Sequence, residues 1–200
     1  MTQTIDYYCA PQSPWTYLGH ARFVTLARAN AATVRVLPMD LGKVFPVSGG
    51  LPLGQRAPQR QAYRLVELRR FSQHLGLPMN IQPKYFPVVG DDAARLIIAA
   101  DMADGPQAAL RLTGAVLAAV WAQERNIADA DVLAALLYES GLNPKWLEQS
   151  RTMAVQQRYV DHTQAAIAAG IFGAPSYCIA GEIFWGQDRL DFVQRRLHAA

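Results

Sequence analysis

The sequence predicts an α/β domain: a βαβ unit and a ββα unit, from opposite ends of the chain, build one sheet, and a large all-helical insertion separates them. Three observations carry this. Strand-like apolar runs lie near the ends, at 5–10, 33–39 and 176–185. From about 59 to 170 the apolar residues recur almost wholly at helical spacing. The first two strands are joined by a helical pattern with a short return, which argues for a parallel, right-handed unit. The domain expected from this is 1–58 with 171–200, and the helical insertion is 59–170.

Ile5 to Ala10 reads as the first strand and Trp15 to about Asn30 as the first helix, with Leu18, Phe23 and Leu26 on one side. Thr33 to Met39 alternates and is β-branched, a second strand. Gly42 to Pro58 is rich in Gly and Pro and reads as a long loop, of the kind that is usually functional. Six helices follow. Tyr63, Val66 and Leu68 begin the first, closed by Gly76 and Pro78, and Ala93 to Met102 is the second. Ala108 to about Gln123 is the third, and Leu133, Leu136 and Leu137 mark the fourth. Asn143-Pro144 opens the fifth as N-cap and N1, and the sixth runs through Tyr159 to Ala169 and stops at Gly170. Ser176 to Ala180 and Ile183 to Trp185 are strands about a Gly181-Glu182 turn. Gly186-Gln187-Asp188 caps a last helix from Arg189 to His198, with Asp191 placed to complete a capping box.

Composition narrows the function. Hydrophobic residues are 51% and charged residues 18% of 200, so a sizeable core is possible. The net charge is only +3 and the basic residues are scattered, which argues against nucleic acid and weakly favours an anionic small ligand. No signal-like segment or membrane-length apolar stretch is present, so the expectation is a cytoplasmic protein. Cys9 and Cys178 then read as buried free thiols, and no Cys/His set has zinc spacing. His20, His74, His162 and His198 read as surface residues with no link to Ser13, and no Gly-x-Ser-x-Gly elbow is present, which sets a serine hydrolase aside.

Two local motifs bear chemistry. Ser13-Pro14-Trp15-Thr16 follows the first strand and opens the first helix. Ser13 suits an N-cap and Pro14 suits N1, which puts a hydroxyl at the positive end of a helix, where an anion is favoured. The plainer alternative is that Ser13 only caps. Ala174-Pro175 precedes the third strand. An X–Pro bond is cis at a cost of only ~0.5–1 kcal/mol, and a cis bond here would turn the Ala174 N–H and C=O toward a ligand; the alternative is a trans strand-entry proline.

Together these pieces, in this order, resemble the thioredoxin fold. Where its redox members carry Cys-Pro-X-Cys, this chain has oxygen in place of both sulfurs, and a hydroxyl forms no disulfide, so dithiol exchange is excluded at this site. A hydroxyl at a helix N-terminus can still hold the thiolate of another molecule. More closely, the chain resembles the 2-hydroxychromene-2-carboxylate isomerases and kappa-class glutathione transferases along nearly its whole length. The carriers are Ser13 to Gly19, Ser48-Gly49-Gly50, Pro58 to Tyr63, Val120-Trp121, Phe172-Gly173-Ala174-Pro175 and Phe184 to Arg189.

The resemblance implies glutathione as cofactor. Ser13 would be catalytic, hydrogen-bonding the sulfur as thiolate. Ala174 before a cis Pro175 would pair its backbone with the cysteinyl unit, Gln187 and Asp188 would hold the γ-glutamyl end, and Arg60 would stand near the glycyl carboxylate. For the substrate, Lys43 is near the family's lysine position in sequence and could substitute if the loop is re-routed, and Tyr85 and Phe86, after the first inserted helix, could line an aromatic pocket. It also implies a homodimer. The chain departs from the pattern at Ala10, where the family has Asp, at Gly50, where it has Asn, and at Phe45 or Pro46, where the isomerases have the substrate lysine. The expected activity is glutathione-dependent cis/trans isomerisation of a conjugated aromatic acid by reversible thiolate addition. The alternatives are a kappa-like transferase that releases a stable conjugate and a non-catalytic glutathione-binding module.

Overall fold

The computed structural model describes residues 3–199. Its elements are β1 (Thr4–Cys9), α1 (Pro14–Ala29), β2 (Thr33–Pro38), α2 (Leu41–Ser48), α3 (Pro58–Leu75), α4 (Asp91–Asp104), α5 (Pro106–Trp121), α6 (Ala130–Glu139), α7 (Trp146–Gln149), α8 (Met153–Ala168), β3 (Ser176–Ile179), β4 (Glu182–Trp185) and α9 (Leu190–His198). The strands form one sheet in the order β2-β1-β3-β4. β1 is parallel to β2, and the β3–β4 hairpin adds antiparallel on the other side of β1. The two chain ends therefore share a sheet, as the apolar runs predict.

Strand alternation sorts side chains between two cores. Tyr7 pairs with Tyr177 and Asp6 with Cys178. Ile5, Tyr7, Cys9, Tyr177 and Ile179 consequently face one cluster, which also takes Phe23 of α1 and the apolar sides of α4, α5 and α6. Tyr8, Ala10 and Cys178 face a second, smaller cluster with Met39, Val44, Ala166 and Ile171. One face of the sheet and much of the helical insertion thus share a single core. Both thiols are free and buried, on opposite faces of the sheet. Tyr7 stacks on Tyr177 at 5.5 Å, with Phe23 4.5 Å and 4.7 Å from the two rings.

Several local readings are corrected. The 42–58 loop is partly helical: Asp40 caps α2 by accepting from the Gly42 N–H at 2.8 Å, and Gly49 ends it at φ 75°. A 3-10 turn over Leu53–Gln55 follows. Asn143 opens only a turn, its side chain accepting from the Lys145 N–H, and α7 lasts a single turn. The sixth inserted helix, which passes through Tyr159, begins at Met153. The last helix starts at Leu190, which puts Arg189 and not Asp188 at the cap position, and Arg189 makes no side-chain cap bond among the described residues. His20 and His162 are buried, not at the surface.

α1 approaches the β4–α9 turn through Gly19, where no side chain fits. A Cβ there would lie 2.9 Å from Gln187 Cβ, 2.9 Å from Tyr177 Oη and 3.3 Å from Gln187 Cα. Replacing Gly by Ala in a helix gains ~1 kcal/mol of propensity, whereas overpacking a tight core costs roughly 1–3 kcal/mol. Tyr177 is held by its stacked neighbours and the Gln187 backbone cannot rotate away, so the clash wins. Gly19→Ala is expected to lower the urea midpoint by an amount equivalent to ~1 kcal/mol. An unchanged or raised midpoint would show that the turn yields freely.

Candidate active site

Ser13 is set by its local sequence. β1 ends at Cys9, the chain turns with the Ser13 N–H donating to Ala10 O, and Pro14 starts α1. The Ser13 side chain accepts from the Thr16 N–H at 3.2 Å, the N-cap geometry that the Ser-Pro pair predicts. Its hydroxyl donates to Ala174 O at 3.4 Å, a long bond that is cheaply given up. Pro14 has no N–H and the Thr16 N–H is taken, so the Trp15 N–H remains as a first-turn donor with no protein acceptor among the described residues. The Ala174–Pro175 peptide bond is cis. The Ala174 N–H likewise has no partner among the described residues.

Two cavities meet at this point. The wider, about 740 Å³, runs from Ser13 past Phe45, Leu53, Phe86, Val88 and Phe172 and is mainly apolar. The other, about 560 Å³, runs along α3 to Gln187 and Asp188. Trp15, Arg56, Arg60, Arg64, Ala174 and Trp185 line both. α3 presents Arg60, Tyr63, Arg64, Glu67 and Phe71 to the narrower cavity, the spacing of one helix face. Phe71 meets the edge of Trp15 at 6.1 Å.

The shared wall is cationic. Arg56 donates to Leu51 O at 2.8 Å. Arg64 lies over the rings of Phe86 and Trp121, 5.1 Å and 5.7 Å from their centroids. Burial, aided by the charge of Arg56, lowers the Arg64 guanidinium to about 10, so it remains protonated at neutral pH. Across from it, Gln187 is buried and locked by Arg22, which donates to its backbone O at 2.9 Å and also to its side-chain Oε1. That leaves the Gln187 amide NH2 as the unengaged end on the cavity wall. Asp188 stands beside it, its Oδ2 2.7 Å from Arg189 Nη1.

The structure brings Ser13, Ala174, Arg60, Gln187 and Asp188 to this pair of cavities, with Pro175 directly behind Ala174. It places Lys43 and Tyr85 elsewhere. Lys43 is exposed on α2, and Tyr85 sits at the surface under Lys84 Nζ, while its neighbour Phe86 faces the cavity. Arg56, Arg64 and the Arg22–Gln187 lock were not singled out from the sequence. Arg60 and Arg64 stand one turn apart on α3, with Arg56 just before it, but their spacing does not say which side of the helix faces a cavity.

The chain has relatives of known name. A 2-hydroxychromene-2-carboxylate isomerase of Sphingobium xenophagum is 28% identical over 199 residues, spanning 98% of this chain and 99% of that protein. One of Pseudomonas putida is 29% identical over 193 residues, spanning 95% and 92%. A solved 2-hydroxychromene-2-carboxylate isomerase superposes with a TM-score of 0.82 at 26% identity, covering 98% and 95% of the two chains. The cytosolic disulfide reductase DsbM of Pseudomonas aeruginosa superposes at 0.69 with 20% identity, covering 98% and 100%, a likeness of fold alone. The first three support an isomerase. A model of the DSBA-like thioredoxin domain matches residues 4–198. With that match over a βαβ…ββα sheet, and with serine and threonine standing in the turn after β1, the chain belongs to the DsbA-like thioredoxin domain family.

Proposed function

We propose that this protein is a glutathione-dependent isomerase acting on a conjugated aromatic acid. One observation carries the reading: at the wall of an apolar cavity, a helix N-terminus offers a weakly engaged serine hydroxyl and a partnerless N–H, where a disulfide-exchanging enzyme needs sulfur. The relatives' shared name supports the isomerase part.

The residues present suit the tripeptide. Ser13 and the Trp15 N–H are donors for a thiolate, and the helix end favours its charge. The free Ala174 N–H suits the cysteinyl backbone, paired as an added strand would be. The Gln187 amide suits the γ-glutamyl carboxylate, Asp188 its ammonium, and Arg60 the glycyl carboxylate. Bound there, glutathione supplies a nucleophilic sulfur that adds reversibly to a conjugated double bond and lets it turn. The chain's own work is to keep that sulfur ionised, to seat an aromatic body against Phe45, Phe86 and Phe172, and to set positive charge where the substrate oxygen becomes negative.

Proton NMR of a panel of aromatic enone acids tests this. The expected result is cis/trans interconversion that needs both protein and glutathione and leaves glutathione unconsumed. A stable conjugate would instead indicate transfer, and no interconversion across the panel would sink the isomerase reading.

A further inference from the structure

We infer that Arg64 is the acid-selecting residue of this site: it seats the carboxylate of a planar aromatic ligand where the two cavities join. The inference rests on the two-ligand reading above for its biological meaning, but the binding itself is separable from glutathione.

The argument begins with an uncompensated charge. Arg64 makes no side-chain hydrogen bond and no ion pair among the described residues. Its Nη2 is sealed from solvent without a partner. A buried, protonated donor left unpaired is costly, and the two rings beneath it offset only part of that. Among the described residues no carboxylate on the wall pairs with it. Glu67 is engaged by Arg70, and Asp188 by Arg189. Arg60, one turn back along α3, and Arg56, just before the helix, add like charge. An incoming anion is what the wall lacks.

Position then selects the anion. Arg60 is exposed and serves the tripeptide in the reading above. Arg64 lies four residues on, about 6 Å along the helix axis, enough to separate two carboxylates. It also lines the wide apolar cavity that reaches Ser13. A guanidinium packed 5.1 Å and 5.7 Å from the Phe86 and Trp121 centroids holds its charge at a fixed place on the cavity wall, where a carboxylate can meet it. The ligand that satisfies both this charge and the apolar wall has a carboxylate on a flat aromatic body.

Calorimetric titration of the full chain with 2-naphthoate and with 2-naphthamide is the test. The wild type is expected to bind the acid about tenfold more tightly than the amide. Arg64→Met, which keeps an apolar stem over the rings, is expected to abolish that preference and leave glutathione affinity within about twofold. Arg64→Lys keeps a charge but not the planar, weakly hydrated guanidinium that packs over the two rings, and is expected to lose most of the preference. If Arg64→Met does not fold, the wild-type and Arg64→Lys titrations decide alone. Equal binding of acid and amide by the wild type overturns the proposal, as does a preference that survives Arg64→Met or is undiminished in Arg64→Lys. A parallel loss of glutathione affinity in Arg64→Met also overturns it, by assigning the residue to the tripeptide. Retained acid preference in a wild type that binds no glutathione leaves Arg64 as proposed and defeats the cofactor reading instead.

Discussion

Ser13→Ala is expected to slow glutathione-dependent isomerisation by about 10²-fold while costing only ~1 kcal/mol of stability. The two effects have different origins. The stability cost is the lost cap to the Thr16 N–H at 3.2 Å. The rate cost is the lost hydrogen bond to the sulfur anion, and a donor fixed beside a charge in a water-poor cavity is worth far more than one at the surface. The hydroxyl gives up little to serve, since its present acceptor, Ala174 O, is 3.4 Å away. Two readouts separate chemistry from folding. Turnover at saturating glutathione should fall, and the ultraviolet band of bound thiolate should require a higher pH to appear in Ser13→Ala than in the wild type. Turnover within about threefold of the wild type, with the thiolate band unmoved, would mean that the sulfur rests elsewhere and that Ser13 only caps its helix.

What the sequence discloses depends on how local the cause is. Ser13 is legible because strand end, cap and N1 proline lie within a few residues, and the structure repeats that grammar. The shared sheet is legible because apolar alternation is a property of each strand. α2 is not, because Gly42, Pro46 and Gly49 are all loop-formers by composition, and only Asp40 as cap and Gly49 as stop betray the helix. Of Tyr85 and Phe86 only Phe86 reaches the cavity, for the same reason: the segment before α4 has no period, so nothing local says which ring turns inward. Arg64 reads as an ordinary surface charge until Phe86 and Trp121, distant in sequence, are seen beneath it. Asp188 looked like a cap because its spacing to Asp191 is right. In the structure Arg189 takes its carboxylate, while Arg22, from another helix, fixes the adjoining Gln187.

His20 and His162 will make the fold acid-labile between about pH 6.5 and 4, the interval between the ordinary imidazole value and theirs. His20 lies between two fixed partners. Leu110 O can only accept, so Nε2 at 3.0 Å must donate to it. Nδ1 is then the lone pair that accepts from the Tyr7 hydroxyl at 3.1 Å. Both contacts are satisfied by a neutral ring, and burial pushes the imidazole down to about 4, with the Leu110 bond resisting. His162 is also brought down to about 4, first by burial and then by the charge of Arg158, against the opposing pull of Pro38 O and Asp161. Because both folded values lie below the unfolded one, the unfolded chain takes up protons that the fold refuses. Stability therefore falls as pH drops through 6.5, and the slope ends near 4. At ~1.4 kcal/mol per unit, each histidine contributes a loss of about 3 kcal/mol, a large share of the ~5–15 kcal/mol typical of a domain. Asp101 acts in the opposite sense: burial raises its carboxyl, so its protonation favours the fold as pH falls, which offsets part of the loss at the acid end. Urea midpoints followed by circular dichroism from pH 7.5 to 4.5 should decline steadily below 6.5. His20→Gln, whose amide can donate to Leu110 O and accept from Tyr7, should remove about half of that slope whatever its effect at pH 7.5. A midpoint that stays level across the interval would mean that these rings reach water or a carboxylate, and that the packing of His20 among Tyr7, Gly114 and Leu110 is looser than the fold implies.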